Sequence, residues 1–138
     1  MSAKDIFHEN CKQALLKDGW RITDDPLRLE YDSVRLEVDL GAERVIAAQR
    51  GSSHIAVEVK SFVAPSVVKE FHTAVGQYLH YRLALKYNQS ARQLFLAVPI
   101  GIYEQRFGEQ LFQDSIQEHH LKLIVFDPFT EELLQWIE

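Results

Sequence analysis

Apolar and polar positions alternate most cleanly between Val34 and Leu40. Val34, Leu36, Val38 and Leu40 fall on one face of an extended chain, and Arg35, Glu37 and Asp39 on the other. Two more extended segments follow, "ERVIAAQR" and "HIAVEVKSF", and "RGSSH" between them has the composition of a hairpin turn. Three strands joined by short connections predict an antiparallel meander. Upstream, residues 3–18 have helical spacing, with Ile6, Phe7, Ala14, Leu15 and Leu16 facing the core and Gly19 as the stop. "GWRIT" is a short extended entry, and "DDP" is a turn because the residue before a proline is disfavoured in helix.

Downstream, Pro65 opens a long helix that runs to about Tyr87. Val67, Val68, Phe71, Val75, Tyr78 and Leu79 form its apolar stripe, while Glu70, Thr73, Gln77, Tyr81 and Ala84 share another side. "RQLFLAVP" is a buried strand, and "YEQRFGEQLFQDSIQEHH" is one broken helix or two short ones divided near Gly108. "LKLIVFD" and "LLQWIE" are strands around the turn "PFTE". The order is helix, three strands, helix, strand, helix, two strands. It predicts one α/β domain over residues 1–138, built on a mixed sheet and ending in a β-hairpin.

A chain of 138 residues with 46% hydrophobic content can bury a core without staples. Cys11 is its single cysteine, which excludes an internal disulfide and a cysteine-rich zinc site and points to a reducing, cytoplasmic setting. "MSAKDIFHEN" holds no apolar signal segment. The longest apolar run, "LFLAVPIGIY", is about half the ~20 residues a membrane span needs and contains Pro99, so no membrane association is expected. A net charge of −5 argues against a sequence-independent nucleic-acid coat protein. It leaves room for a local basic groove, for which Lys69, Arg82, Lys86 and Arg92 around the long helix and Arg44 and Arg50 on the second strand are the candidates.

The charges inside "HIAVEVKSF" need a reason. Glu58 and Lys60 point the same way from a strand that otherwise belongs in a core, and an unpaired buried charge is costly. That face must be wet, mutually paired or holding an ion. Asp39 lies 19 residues earlier and reaches Glu58 if the meander folds as read. Two carboxylates can hold a hard cation such as Mg²⁺ or Mn²⁺, which acidifies a bound water, while a lysine orients that water or stabilises charge at phosphorus. The plain alternative is a structural ion-pair network at a sheet edge. Glu37 could assist Asp39 or lie solvated beside Arg35. His119 and His120 diverge on a helix, and His8 with Cys11 makes a poor zinc site. No glycine-rich phosphate loop is present.

The spacing Asp39–x18–Glu58–Val59–Lys60 resembles the PD-(D/E)XK nuclease superfamily, with Val38 in place of the proline. That resemblance implies a restriction-endonuclease-like αβββαβ core with Asp39 and Glu58 as metal ligands and Lys60 as the catalytic cation. Gln77 and Tyr81 in "GQYLHYR" are similar to the Gln-x-x-x-Tyr element of its RecB-like branch, which adds Gln77 to the catalytic group. Glu9 matches a position where members place a further carboxylate, although a surface charge near a helix amino terminus reads the same way. Tyr81, Arg82 and Lys69 are the expected DNA contacts.

"DLGAERVIAAQRGSSHIAVEVKSF", "EFHTAVGQYLHYRLAL" and "LIVFDPFTEELLQWI" together resemble the XisH family of fdxN-element excision controlling factors. The resemblance implies DNA excision, alongside a XisI-like protein and a site-specific recombinase. Two functions follow: a divalent-metal-dependent DNA endonuclease, or a non-catalytic factor that binds DNA or a partner on a nuclease scaffold. Activity confined to a complex with the XisI-like protein lies between them. The apolar carboxyl-terminal hairpin, with Trp136 and Ile137, is the candidate assembly surface for a partner or a second copy.

Overall fold

A computed structural model describes residues 4–46 and 51–138. Helix α1 (His8–Lys17) leads into strand β1 (Arg21–Asp24), and the hairpin β2 (Leu27–Tyr31) and β3 (Val34–Val38) follows. Strands β4 (Leu40–Ile46) and β5 (Gly51–Val59) precede helix α2 (Val67–Tyr87) and strand β6 (Gln93–Pro99). Helices α3 (Ile100–Arg106) and α4 (Gln110–His119) lead to the closing hairpin of β7 (Leu123–Asp127) and β8 (Glu132–Ile137).

The main sheet has the order β1-β4-β5-β6-β7-β8, and β2-β3 is a separate two-stranded ladder. β4 pairs antiparallel with β1 and β5, β6 runs parallel to β5 and β7, and β8 is antiparallel to β7. The helix–three strands–helix–strand core is therefore α1, β1, β4, β5, α2 and β6. The fold class is the expected mixed α/β domain with its terminal hairpin. The expected meander is corrected in one respect: its first strand is β1, and the segment from Val34 to Leu40 is not one strand. The chain turns at Asp39, leaving the hairpin on one side and entering β4 on the other. Residues 51–54 of "RGSSH" lie inside β5, while Arg50 falls outside the described residues.

Alternation along the strands divides the core in two. Leu40, Ala42, Ile55, Val57, Val59, Phe95 and Ala97 pack with Cys11, Leu15 and Trp20 on the α1 side. Ala56, Leu94, Leu96 and Val98 pack with Phe71, Ala74, Tyr78, Tyr81 and the α4 residue Phe112 on the other side. Leu27, Leu29 and Val38 from the β2-β3 hairpin join that second cluster. The hairpin thereby buries Tyr81 and Ala84, which helical spacing alone had put on a polar side of α2. Ser66 caps α2 by accepting from the Lys69 N–H at 3.1 Å, so Pro65 precedes the cap and is not a first-turn residue. Ile6 and Leu16, expected in the core, are exposed. Trp136 and Ile137 are partly buried against the two clusters, while Leu134 and Phe129 of the same hairpin are exposed. Among the described residues no helix is long and apolar enough to cross a membrane.

Candidate functional site

Glu58 precedes the last residue of β5, and its side chain follows Ala56 onto the α2 face. Asp39 stands at the corner between β3 and β4, beside that strand end because Leu40 pairs with Val57. The two residues are tied through main chain. The Asp39 N–H donates to Glu58 Oε1 at 3.2 Å, and the Val59 N–H donates to Asp39 Oδ2 at 2.7 Å. Lys60 begins the segment after β5, with Nζ 3.8 Å from Glu58 Oε2. The three residues singled out by spacing therefore meet at one end of the sheet.

The electrostatics of the pair are unusual. Glu58 is only 5% exposed. Burial, and then the neighbouring charge of Asp39, push its pKa up from 4.5 to about 8, while Lys60 pulls in the opposite direction. Burial also raises the Asp39 carboxyl, against the Val59 N–H that stabilises its ionised form. Tyr81 lies beside Glu58 from α2, and burial together with the two carboxylates pushes the phenol well above its usual range. Tyr81 is therefore a buried partner of Glu58, not an exposed contact surface.

His8 approaches from α1, and sequence spacing had left it without a role. Its Nε2 lies 2.7 Å from Asp25 Oδ1, and Lys12 Nζ holds the other Asp25 oxygen at 2.8 Å. His8 Nδ1 is buried without a hydrogen-bond partner and lies 4.0 Å from Asp39 Oδ1. Asp5 was missed as well. It accepts from the Phe7 N–H at 2.9 Å and from the Ser61 N–H at 2.9 Å, anchoring the chain just beyond Lys60 to the start of α1. An aspartate two residues before Phe7 is a legible helix-start signal, but its bond to Ser61 is long-range and leaves no pattern.

The remaining candidates divide. Gln77 is half-buried on α2 with Oε1 unpartnered. Lys69 lines the same surface cavity as Lys60. Glu9 is exposed and accepts from Gln13 Nε2 at 3.1 Å, so it is not gathered with Asp39 and Glu58. Arg82 Nη1 donates to the His119 carbonyl at 2.7 Å, placing it at the carboxyl end of α4. Arg92 is spent on the Ile55 carbonyl at 2.9 Å and Asp24 Oδ2 at 3.0 Å, and Arg44 lies over Trp20. Glu37 pairs with Arg28 at 3.7 Å, and Arg35 pairs with Glu30 at 3.7 Å.

Could this site take a divalent cation? Among the described residues no group of three or more His, Cys, Asp or Glu is gathered for a metal. Mg²⁺ needs only one or two carboxylates and keeps waters elsewhere. Two adjacent carboxyls, Glu58 buried and Asp39 half-buried, form a donor set, and a cation would relieve the repulsion that helps to raise the Glu58 pKa. The residues fit such an ion.

The chain is a mixed α/β domain with a six-stranded sheet and two acidic residues and a lysine at one strand end, and comparison with known proteins defines its family. The family model for the XisH protein matches residues 1–134. A crystal structure of an XisH family protein from Nostoc punctiforme PCC 73102 superposes with a TM-score of 0.88 at 43% identity, covering 97% of this chain and 100% of that one. A crystal structure of a fdxN element excision controlling factor protein from Anabaena variabilis also gives 0.88, at 44% identity, covering 98% and 100%. No curated protein is similar enough to count as a relative. The chain belongs to the XisH family.

Proposed function

We propose that this protein is a divalent-metal-dependent DNA endonuclease of the PD-(D/E)XK type, acting in the controlled excision of a DNA element. The observation that carries the reading is the pair of neighbouring carboxyls, Asp39 and buried Glu58, joined through main chain with Lys60 beside them. An ion-pair network built only for stability gains little from burying a second acid against the first. Asp39 and Glu58 would hold Mg²⁺ or Mn²⁺. Such a cation would polarise a phosphoryl oxygen and lower the pKa of a bound water. Lys60 orients the attacking water and offsets charge that builds at phosphorus. The two main-chain bonds hold the carboxyls in place, and Tyr81 closes the site beside Glu58. Gln77, one helical turn before Tyr81, is a candidate to position the substrate strand. By family resemblance the partners are a XisI-like protein and a site-specific recombinase.

A second reading has its own support. Arg44 and Arg92 are engaged by the fold and Arg82 is held at the His119 carbonyl, so among the described residues few of the groove candidates stand free on a chain of net charge −5. That favours a non-catalytic scaffold that works through a protein partner. Plasmid cleavage in Mg²⁺, with and without the XisI-like protein, separates the two. Nicking or linearisation that Asp39→Asn abolishes supports the enzyme. DNA or partner binding with no cleavage under either condition supports the scaffold.

A further inference from the structure

The cavity beside Lys60 has properties that the chemistry at Asp39 and Glu58 does not use. It has a volume of about 520 Å³ and is bounded by Lys60, Ala64, Pro65, Lys69, Glu70 and Thr73. Ala64, Pro65 and the aliphatic lysine stems give it mostly apolar walls. Glu70 reaches it from the first turn of α2, and Oε2 is buried without a hydrogen-bond partner. Lys69, exposed on the same turn, makes no ion pair among the described residues.

These walls sort the ligands that could enter. A carboxylate is acceptor-only, so Glu70 calls for a ligand with N–H groups. A carboxylate beside apolar walls suits a flat, partly apolar ring bearing an amino group. The two lysines suit an anion attached to that ring. A nucleotide has both parts.

We propose that this cavity takes one unpaired nucleotide of the DNA, with the exocyclic amino group of its base donating to Glu70 and its flanking phosphate beside Lys69. The inference rests on the DNA-substrate reading of the adjoining site and adds to it a preference for unpaired bases that carry an amino group. A base inside a duplex is stacked and paired, so only a bulged, looped or single-stranded one can enter. Cytosine offers an N4 amino donor where thymine offers only a carbonyl, and acidic side chains discriminate between bases on that ground. Lys69 meets a phosphate and carries no base information.

The test uses the full chain and fluorescence anisotropy in EDTA, so that cleavage does not intervene. The probes are two labelled duplexes, one with a single unpaired cytosine and one with a single unpaired thymine. The wild type is expected to bind the cytosine probe about tenfold more tightly. Glu70→Ala should bring the ratio to about one, and Lys69→Ala should weaken both probes equally. Thermal melting confirms that each variant is folded. A wild-type ratio near one, or a ratio that survives Glu70→Ala, overturns the proposal. Mg²⁺-dependent cleavage that needs Asp39 but shows no such ratio would leave the nuclease reading standing and sink this one. A ratio without cleavage would do the reverse.

Discussion

Asp39 and Glu58 grip each other through the main chain: the Asp39 N–H donates to Glu58 Oε1 at 3.2 Å, and the residue after Glu58 donates its N–H to Asp39 Oδ2 at 2.7 Å. The arrangement fixes two acids side by side before any cation arrives, so binding one requires little ordering of the chain. A cation that binds only the folded state then stabilises it by RT ln(1 + [L]/Kd). Mg²⁺ or Mn²⁺ at ten times its dissociation constant should raise Tm by about 5 °C for a domain of this size. Asp39→Asn should lose that rise. Identical melting with and without saturating metal for both proteins would remove the case for a metal site.

The same pair makes stability depend on pH when metal is absent. The unfolded chain releases the Glu58 proton near 4.5, whereas the folded chain keeps it to about 8. The folded state therefore binds more protons throughout that window, and stability falls as pH rises through it. The slope reaches at most one proton, about 1.4 kcal/mol per pH unit. Urea titrations in EDTA from pH 5 to 8 measure it. Glu58→Gln should flatten the decline, and a wild type whose stability rises over this range would contradict the placement of Glu58.

Much of this was legible in the chain, and the failures have physical causes. Glu58 and Lys60 stood out because two charges in an apolar strand need an explanation, and the structure brings Asp39 to them. The corner at Asp39 was invisible because apolar alternation continues from Val34 through Leu40 although the backbone changes sheets. "LRLEY" went unread as a strand, and with it the hairpin that covers Tyr81 and Ala84. His8 and Asp25 are 17 residues apart in sequence and hydrogen-bonded in space, a relation no local period encodes. The arginines misled for a similar reason: sequence gives their charge, and only the fold shows how much of it carbonyls and carboxylates absorb.

Arg92 offers a direct check on that last point. Its guanidinium joins β4 and β5 by donating to the Ala42 carbonyl at 3.3 Å and the Ile55 carbonyl at 2.9 Å, and it pairs with Asp24 on β1. Arg92→Ala removes a donor from two partly buried carbonyls and leaves the Asp24 carboxylate with the Thr23 hydroxyl alone, which should cost about 2–4 kcal/mol in urea unfolding. DNA affinity, measured on the folded fraction, should be unchanged. A variant of normal stability and weakened DNA binding would restore Arg92 to the interface.

Lys60 separates chemistry from architecture. Its Nζ, 3.8 Å from Glu58 Oε2, sits at the mouth of the site and not in the core, so Lys60→Ala should fold and melt like the wild type. Removing a positive charge favours both the proton and the metal at Glu58. A divalent cation feels twice the Coulomb repulsion that a proton does, so it gains more from the loss. Metal binding should therefore persist in the variant. Transition-state stabilisation should not, and losses of this kind are on the order of 10²–10³ in rate. Plasmid nicking in Mg²⁺, read beside a metal-induced melting shift, distinguishes the cases. Retained shift with lost cleavage assigns Lys60 to the reaction. Loss of both makes it a structural partner of Glu58, and undiminished cleavage would remove it from the site's chemistry altogether.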